Sequence, residues 1–150
     1  KKRTFSEMVE RLNIVPVSIA YELDPCDSAK ANELAAKAAG GTYEKSEFED
    51  IQSIVQGIVG DKGRVHVGFG EPIRGEFESA EALAEEIDRQ IHQNYRLHAT
   101  NLAAAGEATE EGLAMLEARL SQVDGAARDI LKAMYAKPVL NYNNAQTESQ

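Results

Sequence analysis

"NIVPVSIAYELDPCD", residues 13–27, decides the fold. It is an apolar run with a proline in its middle, and it ends on Asp-Pro-Cys-Asp. From 14 to 21 the residues sort into two sets. Val15, Val17, Ile19 and Tyr21 point one way, and Ile14, Pro16, Ser18 and Ala20 the other. Both sets are largely apolar, which predicts a strand covered on both faces. Pro16 has no N–H to give to a ladder, so it belongs at an edge, a bulge or a strand end. A buried edge strand under a helix fits, and so does a strand lining an apolar groove.

The flanking sequence predicts what lies beside this strand. Thr4-Phe5-Ser6-Glu7 reads as a capping box that opens a helix through Leu12. Asp27 is placed to N-cap a helix with Ala31, Leu34, Ala35 and Ala38 at helical spacing, stopped by Gly40-Gly41. Ser46-Glu47-Phe48-Glu49 is a second capping box, followed by Phe48, Ile51, Val55 and Ile58 on one face and a stop at Gly60. Residues 64–70 alternate cleanly, with Val65, Val67 and Phe69 expected inward. Ser79 caps a helix with Leu83, Ile87 and Ile91 on one stripe. Residues 96–102 read as a short extended piece. Thr109 opens a helix with Leu113, Leu116 and Leu120. A last helix runs from about Ala126 to Ala136 and stops before Pro138, leaving a polar, frayed tail.

Strands separated by helices predict an α/β fold: a partial, mostly parallel sheet of few strands covered by helices, with a helical C-terminal extension. Two clear strands make a poor sheet on their own. With a charged Lys1 in place of a methionine, this leads us to expect part of a longer protein.

The chain has 150 residues, 43% of them apolar, enough for a core, and a formal charge of −9. Between 71 and 88, Glu71, Glu76, Glu78, Glu81, Glu85, Glu86 and Asp88 face a single cation, Arg74. Such a surface repels nucleic acid and anionic headgroups, and only Lys1, Lys2 and Arg3 lean basic. The single cysteine, Cys26, excludes an internal disulfide and a multi-cysteine metal site. No run approaches the roughly 20 apolar residues that span a bilayer.

Catalytic motifs are absent. His66, His92 and His98 lack the spacing of a metal site, so no metal is expected. There is no Gly-x-Ser-x-Gly elbow, and Cys26 has no local histidine. The segment 60–70, GDKGRVHVGFG, is not a phosphate loop, because its glycines precede and punctuate a strand instead of following one. Lys62 and Arg64 are its candidate phosphate-binding cations. The acidic residues of the helix from 79 to 91 read as its solvated face.

Two stretches together, IVPVSI at 14–19 and VHVGFGEPI at 65–73, resemble late segments of the family that acylates glycerol 3-phosphate and 1-acylglycerol 3-phosphate. There an Ile-Val-Pro-Val-type strand is the fourth conserved block, and a strand ending Phe-Gly-Glu-Pro-Ile follows it. YELDPCD at 21–27 and NLAA at 101–104 resemble a bacterial branch. The resemblance covers about residues 13–104, which marks 1–104 as the C-terminal portion of an acyltransferase-like domain and 105–150 as a helical extension with a polar tail.

The family's earlier blocks, a His-x4-Asp pair, an arginine-bearing segment and a Glu-Gly phosphate block, are missing from this chain. The residue five after His66 is Glu71, after His92 Leu97, and after His98 Ala103. The resemblance therefore implies no catalytic residue here and no activity for this chain alone. It implies that Val15, Pro16 and Val17 line the acyl chain beside an apolar trough. The donor of the parent enzyme would be acyl-CoA or acyl-carrier protein, with no other cofactor. The partners would be a lipid substrate and the rest of the parent domain, in the cytoplasm at the inner face of the membrane through upstream segments. The alternative is a stand-alone soluble helical interaction module without enzymatic activity, its strands paired across a homodimer.

Overall fold

The computed structural model describes residues 4–41, 48–107 and 109–147. Its order is α1 (Phe5–Leu12), β1 (Val17–Tyr21), α2 (Asp27–Ala38), α3 (Glu49–Val59), β2 (Val65–Phe69), α4 (Ala80–Gln93), α5 (Ala99–Ala104), α6 (Glu110–Leu120) and α7 (Gly125–Thr147). The expected fold class is corrected here. Helices dominate, and the described strands form a two-stranded antiparallel sheet in place of a mostly parallel one. Two strands joined through α2 and α3 satisfy the alternating pattern that normally signals parallel pairing. The direction of pairing is set by ladder contacts that the pattern does not encode.

The chain divides into two compact units, Lys1–Ala20 with His66–Arg96 and Leu140–Gln150, and Tyr21–Val65 with Leu97–Val139.

In the first unit, α1 is opened as expected. Thr4 Oγ1 accepts from Glu7 N at 3.2 Å, and Glu7 Oε2 accepts from Thr4 N at 2.8 Å. Gly70 N donates to Pro16 O at 2.9 Å, and Ile73 N to Ile14 O at 2.8 Å. Pro16 thus gives its carbonyl to β2 but has no N–H to return, and it lies just before β1 begins. Below the sheet runs α4, capped by Ser79 Oγ, which accepts from Ala82 N at 3.2 Å. The helix comes close because Gly68 and Gly70 have no side chains. A Cβ on Gly68 would lie 3.0 Å from Asn94 O, and one on Gly70 2.4 Å from Gln90 Oε1. Pro16, Ser18 and Ala20 are buried on this face.

In the second unit, a helical core joins Ala31 of α2, Ala103 and Ala104 of α5, Leu116 and Leu120 of α6, and Ala127, Leu131 and Tyr135 of α7. Gly112 lets α6 meet α5, since a Cβ there would lie 2.4 Å from Ala99 O.

Three local expectations are corrected. Residues 99–104 are helical. His98 N donates to Asn101 Oδ1 at 2.9 Å, Asn101 Nδ2 to Tyr135 O at 3.0 Å, and Thr100 Oγ1 to Glu22 O at 2.7 Å. A local cap between His98 and Asn101, together with partners far along the chain, makes this turn helical. Second, α7 continues through Pro138 to Thr147, so residues 141–147 of the expected frayed tail are helical. Proline forfeits one hydrogen bond, a cost of about 3 kcal/mol. Buried anchors lie on both sides of it: Tyr135 and Val139, and beyond them Ala145, whose carbonyl accepts from Gln93 Nε2 at 2.8 Å. The third concerns the sheet. Val65, Val67 and Phe69 do not face inward, and β1 is covered on one side only. The capping-box residues Ser46 and Glu47, and the basic Lys1, Lys2 and Arg3, lie outside the described residues.

Candidate functional site

The ladder sets 16 opposite 70, and Glu22 N donates to Arg64 O at 2.9 Å, which sets 22 opposite 64. In an antiparallel pair, residues directly opposite point to the same side. In the first unit the uncovered face is therefore built from Val17 with Phe69 and Ile19 with Val67, and in the second unit Tyr21 with Val65 keep the same strand phase. Val15 extends the uncovered face past the strand end. All seven are exposed, Ile19 at 51% and Phe69 at 71%. None is charged, and β-branched and aromatic residues fill every position, as in a sheet built to be covered. A two-stranded sheet also leaves one edge of each strand without a strand neighbour among the described residues.

Of the residues singled out from sequence, Val15 and Val17 lie on this open face, and Pro16 is buried on the other side. Ile19, Tyr21, Val65, Val67 and Phe69 were not singled out. Their signal was the same odd-numbered phase that carries Val15 and Val17.

Lys62 and Arg64 are committed to protein acceptors. Lys62 Nζ donates to Ile58 O and Gly60 O, both at 3.0 Å, closing the C-terminal end of α3. Arg64 Nε donates to Glu22 Oε1 at 2.9 Å, its Nη2 also meets that oxygen, and its backbone N–H donates to Glu22 Oε2 at 3.0 Å. The Arg64 hydrogen bond holds the Glu22 carboxyl below its ordinary value.

A second polar cluster lies in the same unit, around Asp27. Arg119 Nε donates to Asp27 Oδ2 at 2.8 Å, and Arg119 Nη2 also meets Oδ1. Tyr135 OH donates to Oδ2 at 2.7 Å and accepts from Asp24 N at 3.1 Å, while Ser28 N donates to Oδ1 at 2.5 Å. Burial alone would raise the Asp27 pKa, but the hydrogen bonds from Arg119 and Tyr135 outweigh it and hold it low. Burial, with the bond to Asp27, pushes the Tyr135 phenol well above its ordinary value. Every oxygen of this carboxylate is engaged, so the cluster is a structural tie. The expected N-cap role of Asp27 is corrected: Cys26 is the N-cap, Asp27 is the first residue of α2, and its carboxylate is given to Arg119 and Tyr135.

His66 and Glu71 form no dyad, because five residues along an extended segment puts them on opposite faces. No group of three metal-ligating side chains occurs among the described residues, and no helix there is long and apolar enough to cross a membrane. What the site offers is an apolar surface and open backbone edges. It does not offer an acid, base or nucleophile.

No protein-family model, curated protein or solved structure matches the chain.

Proposed function

We propose that this chain is the C-terminal portion of a glycerolipid acyltransferase domain, contributing an apolar wall to its lipid site and no transferase activity of its own. The observation that carries the reading is the open face of β1 and β2. All of its side chains but Tyr21 belong to the two segments, 14–19 and 65–73, whose sequences resemble that family. Covering such a face returns up to about 1.5–3 kcal/mol per large apolar side chain, so it calls for further polypeptide or an acyl chain. The open edges call for further strands. On this reading acyl-CoA or acyl-carrier protein is the donor, and the His-Asp pair lies in upstream sequence. The setting is the cytoplasmic side of a membrane, reached through upstream segments.

Two assays test it. The purified 150-residue protein, given acyl-CoA and a lysophospholipid, is expected to show no turnover, and robust turnover would overturn the assignment. In the full gene product, Val17→Asp is expected to reduce acyl transfer at least tenfold, with Leu113→Asp, on an exposed spot of α6, as the silent control.

A second reading, a helical interaction module without enzymatic activity, draws on the second unit, whose helical core closes without the open face of the sheet.

A further inference from the structure

We propose that α3 forms the seam of a symmetric dimer, packing antiparallel against α3 of a second copy. The inference rests on this helix alone, not on the lipid reading.

At 100° per residue, Ile51, Ile54, Val55, Ile58 and Val59 share one arc with Phe48, while Gln52, Ser53, Gln56 and Gly57 fall opposite. Every residue of α3 except Glu49 and Gly57 is exposed, and the polar arc supplies hydrogen bonds to its own unit. Gln56 Nε2 donates to Pro25 O at 3.3 Å, and Cys26 Sγ reaches Ser53 O at 3.5 Å. Gln52, Ser53 and Gln56 line a cavity of about 540 Å³ with Arg119 and Gln122. The apolar arc points outward, from Val55 at 51% to Ile58 and Val59 at 72% exposed, and α3 buries no residue at all. Eleven residues are too few for a helix that stands by itself in water.

The charges choose the occupant. Glu49 and Asp50 occupy the first turn, the rest of α3 is uncharged, and Lys62, whose ammonium has a third N–H beyond the two given to Ile58 O and Gly60 O, sits at its far end. Antiparallel pairing places each acidic start beside Lys62 of the second copy, whereas parallel pairing stacks like on like. Ile51, Ile54 or Val55, and Ile58 follow the spacing of a helix–helix seam, and their β-branched side chains lose little rotamer freedom on packing. A lipid surface fits less well. An interfacial helix keeps a cation-rich polar face in water; here the polar face carries no cation.

Sedimentation velocity on the full chain is expected to show a concentration-dependent dimer. Ile54→Glu with Ile58→Glu should raise its dissociation constant at least tenfold with unchanged circular dichroism, and Leu113→Glu should leave it unaltered. In a Cys26→Ser background, Ile54→Cys near the two-fold axis should oxidise to a covalent dimer, and Phe48→Cys should not. A chain that stays monomeric at its highest soluble concentration overturns the proposal. So does equal cross-linking at both cysteines, or capture by phosphatidylcholine vesicles that depends on Ile54 and Ile58.

Discussion

Asp27 and Arg119 stand 92 residues apart in sequence and meet as a buried ion pair, with Nε 2.8 Å from Oδ2. The Asp27 side chain is 1% exposed and that of Arg119 18%. Truncating one member of such a pair strands the other charge, which costs about 3–5 kcal/mol. Arg119→Met is expected to lower the free energy of urea unfolding by that amount. A loss under about 1 kcal/mol would mean that the carboxylate re-solvates freely.

Asp27, Glu22 and Tyr135 together set the pH range of stability. The folded pKa values of Asp27 and Glu22 lie below their ordinary 3.8 and 4.5. Their contribution is therefore complete above those values and is lost as pH falls through the folded ones. Tyr135 is shifted the other way. Its contribution is complete below the ordinary phenol value of 10.0 and is lost as pH climbs beyond it. Unfolding midpoints measured against pH should trace a plateau with a fall at each end. Tyr135→Phe should flatten the alkaline fall and, by removing one of the hydrogen bonds that hold Asp27 low, move the acid fall to higher pH.

Two helical glycines should respond with opposite signs. A Cβ on Gly112 meets the Ala99 carbonyl at 2.4 Å, so Gly112→Ala must part α5 from α6, at a cost of about 1–3 kcal/mol. A Cβ on Gly57 meets only Cys26 Sγ, at 4.0 Å, so Gly57→Ala should stabilise by about 0.5–1 kcal/mol. Thermal melts of the two variants check both.

Ser18 is fully buried against α4, and its hydroxyl has no hydrogen-bond partner. Removing an unpaired buried hydroxyl relieves a desolvation penalty, so Ser18→Ala should be neutral or stabilising by about 1 kcal/mol. Hydrogen exchange along β1 and α4 should slow or stay constant. Faster exchange would show that the hydroxyl does find a partner.

Elements with a local cause were legible in the sequence. The Thr4 and Ser79 caps, the stop of α3 at Gly60 and the odd-even phase of both strands all rest on residues within a turn or two. The open face was half legible: Val15 and Val17 were singled out, but the alternation says only which residues share a side, not whether anything covers it. What escaped was largely non-local. Antiparallel pairing and the passage of α7 through Pro138 depend on partners tens of residues away, and the helix at 99–104 adds such partners to a local His98–Asn101 cap that is not one of the common Ser, Thr or Asp signals. The ties of Lys62 and Arg64 belong with them, since a cation beside glycines looks the same whether it awaits a phosphate or already holds a neighbour.

Each compact unit is stitched from segments that other segments interrupt: three for the first, two for the second. No single scission of the backbone therefore releases either one intact. Dissection by truncation would remove strands or helices from both at once, so a shortened gene that loses solubility says nothing about which half carries a given property. Point substitution is the cleaner scalpel for this molecule.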